Sequence, residues 1–229
     1  MGMEQQEKPI HLNENDTPYL YEPFRNKMPE NRPRPVKKEN TLNAWQGLLA
    51  FAFLMIAFNI IGIPFVTVGG MYGNALDEIL VFLIGSVLVV RALHIPLKEV
   101  FTVKKPDGAG ILGTVLMWYV TYRGVLALFL LMEWIFPQEY ASLSESMDSS
   151  MAGLSYLGEL LVVALTPAIC EEALHRGLLQ YSLRGIRKKW VILLWMGVYF
   201  GAFHMSLIRF LPMMMMGIVL SYVRMKTNN

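Results

Sequence analysis

Six apolar runs of roughly bilayer-crossing length follow one another between residues 45 and 223, and no other feature restricts the fold as much. They occupy about 45–68, 79–95, 111–136, 154–181, 190–206 and 210–223. About 20 apolar residues are needed to cross ~30 Å of hydrocarbon, and the second and sixth runs are the shortest. Inside lipid every backbone N–H and C=O must find a partner within the protein, which leaves helices for runs of this length. The fold class expected is therefore all-α, a polytopic transmembrane helical bundle of about six spans. Composition agrees: 54% of residues are hydrophobic and 17% charged, whereas soluble domains average about 45–50% and 25%. The charges also crowd at one end, with seven basic and seven acidic groups among residues 1–44.

A net charge of +2 gives no basic surplus of the kind that nucleic acid attracts, so no nucleic-acid partner is expected. The single cysteine, Cys170, excludes an internal disulfide framework and a cysteine-built zinc site. Residues 1–40 are polar and rich in proline (Pro9, Pro18, Pro23, Pro29, Pro33, Pro35), which opposes helix. They read as a flexible cytoplasmic tail, and no apolar core of a signal peptide follows Met1. Residues 41–229 form the helical membrane domain.

Basic residues set the orientation. Arg25 to Lys38 precede the first run, Lys98, Lys104 and Lys105 follow the second, Arg184 to Lys189 follow the fourth, and Arg224 and Lys226 follow the sixth. The 69–78 and 137–153 segments carry no Lys or Arg, and Arg209 is the exception to the alternation. The expectation is a multi-pass cell-membrane protein with a cytoplasmic N-terminus. The 137–153 segment reads equally as an interfacial helix or a surface loop, and Met213–Met216 as packing material.

Ionisable groups at membrane depth are costly and mark candidate functional positions. The fourth run holds Glu171, Glu172, His175 and Arg176, the fifth His204, and the third Arg123. Helical spacing of four pairs Glu172 with Arg176 along one face. Glu171 is turned by about 100° from that pair and shares its stripe with His175. Desolvation and a neighbouring cation pull a carboxyl's proton affinity in opposite directions, a tension suited to a general base. Antiparallel packing of successive helices would bring His204 opposite Glu171, with Phe200, one turn earlier, as a pocket wall. A purely structural ion-pair network is the competing reading.

The string Cys170-Glu171-Glu172-Ala173-Leu174-His175-Arg176 resembles the Glu-Glu-x-x-x-Arg motif of the intramembrane proteases that include type II CAAX prenyl endopeptidases and bacteriocin-processing, Abi-like proteins (the CPBP family). Phe200-Gly201-Ala202-Phe203-His204 is similar to their second motif, Phe-x-x-x-His, and the resemblance spans about 155–225. It implies an intramembrane endopeptidase in which Glu171 activates water and His204 polarises the carbonyl or shares that water. Glu172 and Arg176 would be the supporting ion pair; apart from the resemblance, Phe200, His175 and Arg123 are expected by their positions in the apolar runs to line the pocket or contact substrate. It leaves zinc and a metal-free glutamate mechanism as alternatives; counting the ligands that a catalytic zinc would need, Glu171, His175 and His204 are the metal candidates. The implied partners are membrane lipid and a peptide or lipidated-protein substrate. The family's further His-x-x-x-Asn motif has no counterpart before Asn229, so a chain truncated at its C-terminus relative to the family is expected. The alternative is a catalytically impaired relative that acts as a bacteriocin-immunity protein or binds a membrane partner. His175 stands where the family usually has an aromatic residue.

Overall fold

A computed structural model describes residues 41–228; the tail expected at 1–40 lies outside the described residues. The described chain is helical with no strand, as the apolar runs require. Asn43 starts the first helix with a reciprocal cap, its Oδ1 accepting from the Gln46 N–H at 2.9 Å and its own N–H donating to the Gln46 side chain at 3.1 Å.

From Ala44 to Ala92 the helical stretch is 49 residues long, far more than a bilayer needs. It breaks at Gly70, whose φ of 54° and ψ of −133° are open to glycine and strained for other residues. Two limbs result, α1 (44–69) and α2 (71–92), and they pack antiparallel. Phe58 stacks on Phe82 with ring centroids 4.4 Å apart. A Cβ on Gly62 would lie 2.6 Å from Asp77 Oδ2, and one on Gly85 would lie 2.7 Å from Leu54 Cδ2. Small residues thus let the limbs approach closely. The second helix therefore starts at about residue 71, and the 69–78 segment is a tight turn followed by helix.

After a short helix, α3 (Leu97–Val100), come α4 (Gly108–Ile135) and α5 (Pro137–Met151). Polar, exposed and without a buried residue, α5 turns the 137–153 segment into a helix. The chain bends by 116° into α6 (Tyr156–Gly185), capped by Ser155. Two final helices, α7 (Lys189–Phe203) and α8 (Leu207–Thr227), pack on each other. By length and composition three helical stretches can cross a membrane, namely Ala44–Ala92, α4 and α8, or four with the bent pair α5 and α6. The fifth expected crossing, α7, has 15 residues, about 22 Å of helix.

Buried Phe51 and Leu54 of α1, Phe82 and Val90 of α2, Leu174, Leu178 and Leu179 of α6 and Met196 of α7 make one core cluster. The outer faces are equally apolar: Phe53, Ile60 and Ile63 on α1 and Val120, Leu130 and Trp134 on α4 are exposed, a surface matched to lipid.

The α7–α8 seam is built on Gly197-x-x-x-Gly201. A Cβ on Gly201 would lie 2.6 Å from the Phe210 carbonyl, and one on Gly217 of α8 would lie 2.6 Å from Phe200 Cβ. Gly201→Leu is expected to lower stability by about 1–3 kcal/mol through overpacking, read as a drop in thermal midpoint in detergent. An unchanged midpoint would show that the helices sit further apart.

Candidate active site

Pro167 has no N–H to offer the preceding turn, and α6 is wound irregularly around it. Leu160–Leu165 and Glu172–Leu179 adopt the wider π-helical winding on either side of the α-helical turn Thr166–Glu171. Such insertions often occur at functional positions. Glu171 is the last residue of the α-helical turn, half-buried, and the next eight residues carry the rest of the motif.

Glu172 and Arg176 make the expected ion pair, Arg176 Nη1 lying 3.3 Å from Glu172 Oε1. Its two halves differ in environment, since the Arg176 side chain is 3% exposed and that of Glu172 48%. The guanidinium carbon also lies 4.5 Å from the centroid of the Phe200 ring, a cation–π contact with α7. Arg176 therefore joins the two helices while Glu172 faces outwards.

His175 is fully buried, at 0% exposure. The rings of Phe51, Phe200 and Phe203 meet it edge-on, with centroids 5.6, 4.9 and 4.8 Å away. Its Nδ1 bonds the Glu171 carbonyl at 3.1 Å; a carbonyl only accepts, so Nδ1 carries the proton. Nε2 has no partner among the described residues. The aromatic packing accounts for an imidazole at a position where an aromatic ring is usual.

His204 follows the last residue of α7. Its Nδ1 donates to the Phe200 carbonyl at 2.8 Å, satisfying an acceptor at the helix end. The ring packs on Phe200 and Phe203, 5.1 and 5.4 Å away, the two rings that also touch His175. Met205 takes a left-handed φ of 44° and Ser206 caps α8, so the chain reverses directly behind His204. With Nδ1 protonated, neutral His204 presents Nε2 as an acceptor. That suits sharing a water; polarising a carbonyl would require the imidazolium.

The structure thus brings His175, Arg176, Phe200 and His204 together at the α6–α7 seam, Phe200 and Phe203 bridging the two imidazoles, and Glu171 joins them through its backbone carbonyl on His175. Arg123 stands apart from this group: it is exposed on α4, a helix packed against α8, and no acid among the described residues pairs with it. The metal reading fares no better. Among the described residues no three His, Cys, Asp or Glu side chains converge as a ligand cluster. His175, closed in by aromatic rings, cannot join Glu171 and His204 around an ion, so this chain's residues do not fit the metal set that spacing offered.

Two acids that sequence reasoning left in the 69–78 segment are buried in α2. Asp77 is 0% exposed and both its oxygens lack a partner among the described residues. Glu78 is 8% exposed; its Oε1 accepts from Asn74 Nδ2 at 2.8 Å while Oε2 is buried and unpartnered. The π-helical stretch after Glu78 packs against the turn that ends in Glu171. The signal was present as Asn74 and Glu78 at helical spacing, but acids at the edge of an apolar run read as its boundary.

Compared with known families, residues 153–229 match the model described as "Type II CAAX prenyl endopeptidase Rce1-like". The match covers about a third of the chain and contains Glu171, Glu172, Arg176, Phe200 and His204. At the family level it supports an intramembrane CAAX-type endopeptidase, consistent with the resemblance carried by the two motifs. No curated protein and no solved structure matches the chain.

Proposed function

We propose that the matched segment is the hydrolytic core of a membrane-embedded endopeptidase that cleaves a peptide bond of a membrane-associated substrate. The observation that carries this reading is the shared aromatic wall: His175, bonded to the Glu171 backbone, and His204 pack on the same pair of phenylalanines. On this reading the Glu171 carboxyl of α6 and the proton-accepting imidazole at the end of α7 serve one polar spot in an apolar bundle.

In the hydrolysis, the Glu171 carboxylate takes a proton from water and the hydroxyl oxygen bonds to the scissile carbonyl carbon. The carbon–nitrogen bond breaks as Glu171 returns the proton to the departing amine, leaving a carboxyl and an amino terminus. His204 Nε2 accepts the second hydrogen of the water and so orients it. Arg176, held by Glu172 and by Phe200, fixes the distance between α6 and α7. The substrate on this reading is a peptide or lipidated protein presented by the membrane, and the basic loops favour a site toward the cytoplasmic side.

The test is cleavage of a membrane-tethered reporter peptide by the full chain in liposomes, with products identified by mass. Cleavage by the wild type with a loss of about 10²-fold or more in His204→Ala is expected, the usual scale for a proton-transfer partner. A wild type that leaves every reporter intact, or a His204→Ala variant as fast as wild type, would refute the reading.

A further inference from the structure

Helices α4 and α8 pack on one another, closely at one level and with a gap at the next. A Cβ on Gly124 would lie 2.7 Å from Met215 Cε, so the helices meet there with no room for another side chain. From Thr121 to Thr114 on α4, and opposite them from Met216 to Val223 on α8, they leave a groove of about 200 Å³. Seven residues of helix make it about 10 Å long. Its walls are apolar: Trp118 is 53% exposed and is held flat by stacking on Tyr122, with centroids 5.5 Å apart. The Thr121 hydroxyl donates to the Met117 carbonyl of its own helix at 2.7 Å. A further helix, about 10–12 Å across with its side chains, is too broad for such a space. A single hydrocarbon chain is not.

Positive charge stands at the end of the groove marked by Thr114 and Val223. Arg224, next to Val223, donates to the carbonyls of Thr102 and Val100 at 3.1 and 3.2 Å, which ties this segment to α8. The chain then runs to Asp107, the cap of α4, so residues 103–106 bridge the end of the groove. All four are exposed, and they include Val103, at 89%, beside Lys104 and Lys105. An exposed apolar side chain flanked by lysines suits the boundary between lipid tails and headgroups. Lys226, exposed and three residues past Val223, adds a third ammonium, 5.6 Å from the Tyr222 ring centroid. The acid at this end, Asp107, accepts from the Gly110 N–H at 2.6 Å and is engaged with α4.

An apolar groove on a membrane-spanning helix pair opens to acyl chains, and basic residues at its end attract the negative headgroup. We propose that the α4–α8 groove holds one acyl chain of an anionic phospholipid, whose phosphate is bound at the groove's end by Lys105 and Lys226. Seated there, the lipid fills the space that the Gly124–Met215 contact leaves open and braces α4 on α8. None of these residues belongs to the two sequence motifs, so the site stands or falls apart from the hydrolytic reading.

Tryptophan fluorescence of the full chain in phosphatidylcholine liposomes tests the proposal, because phospholipids with brominated acyl chains quench a ring that they touch. Brominated phosphatidylglycerol should reach half-maximal quenching at a share of the bilayer about tenfold lower than brominated phosphatidylcholine. Trp118→Phe should abolish that tight phase, since the reporting ring is gone. Each lysine near an anionic headgroup contributes about fivefold in affinity, so Lys105→Gln combined with Lys226→Gln should shift the half-point by about tenfold or more. Equal quenching by the two lipids, a tight phase that survives Trp118→Phe, or one indifferent to the lysine substitutions overturns the proposal. So does a Trp118 that neither lipid quenches, the result expected if a second copy of the chain covers the groove. If Trp118→Phe does not fold, the headgroup comparison and the lysine variant, whose replaced side chains are exposed, decide.

Discussion

Glu172→Gln should destabilise the protein more than Arg176→Met does, although the two changes remove the same ion pair. The asymmetry follows from burial. Without Glu172 the guanidinium stays 3% exposed and loses its ion-pair partner, and breaking a buried pair by removing one partner costs about 3–5 kcal/mol. Because Glu172 is itself half in solvent, that figure is discounted to about 2–3 kcal/mol. Methionine at 176 removes the charge from the interior and fills most of its volume. The carboxylate left behind at 48% exposure can be solvated, so a change of about 1 kcal/mol or less is expected. Unfolding midpoints of the two variants in the same detergent check the order. Equal losses, or a larger loss for Arg176→Met, would mean that Arg176 contributes mainly through its contact with Phe200.

The second large effect belongs to Glu171. Glu171→Gln keeps shape and hydrogen-bonding atoms but removes the base, and reporter cleavage should fall by about 10²–10⁴-fold. The unfolding midpoint should stay near the wild-type value, because the His175 bond uses the Glu171 backbone carbonyl and not its side chain. A Glu171→Gln variant that cleaves normally would remove Glu171 from the chemistry. One that fails to fold would make it a structural acid.

The helices were legible because lipid imposes a simple rule on apolar runs, and the Glu172–Arg176 pair was legible because helical spacing of four fixes neighbours. What stayed hidden depended on packing. The Gly69-Gly70 turn is so tight that α2 takes in Asp77 and Glu78, which hydropathy assigned to a loop. His175 sits at a spacing that suits a ligand, yet the rings of Phe51, Phe200 and Phe203, from two other helices, enclose it. Arg123 lies in an apolar run and is exposed on α4, and one-dimensional hydropathy cannot tell the exposed side of a helix from its packed side. The tautomer of His204 was equally out of reach, since it is set by an end-of-helix carbonyl whose orientation only the fold determines.

The central claim is that Glu171 and His204 act on one water as a unit. Single-turnover cleavage of the reporter by Glu171→Gln, His204→Ala and the double variant tests it directly, because residues acting as a unit give strongly non-additive losses. The double variant is predicted to cleave no more slowly than Glu171→Gln alone. Losses that multiply in the double variant would mean two separate contributions and would contradict the account.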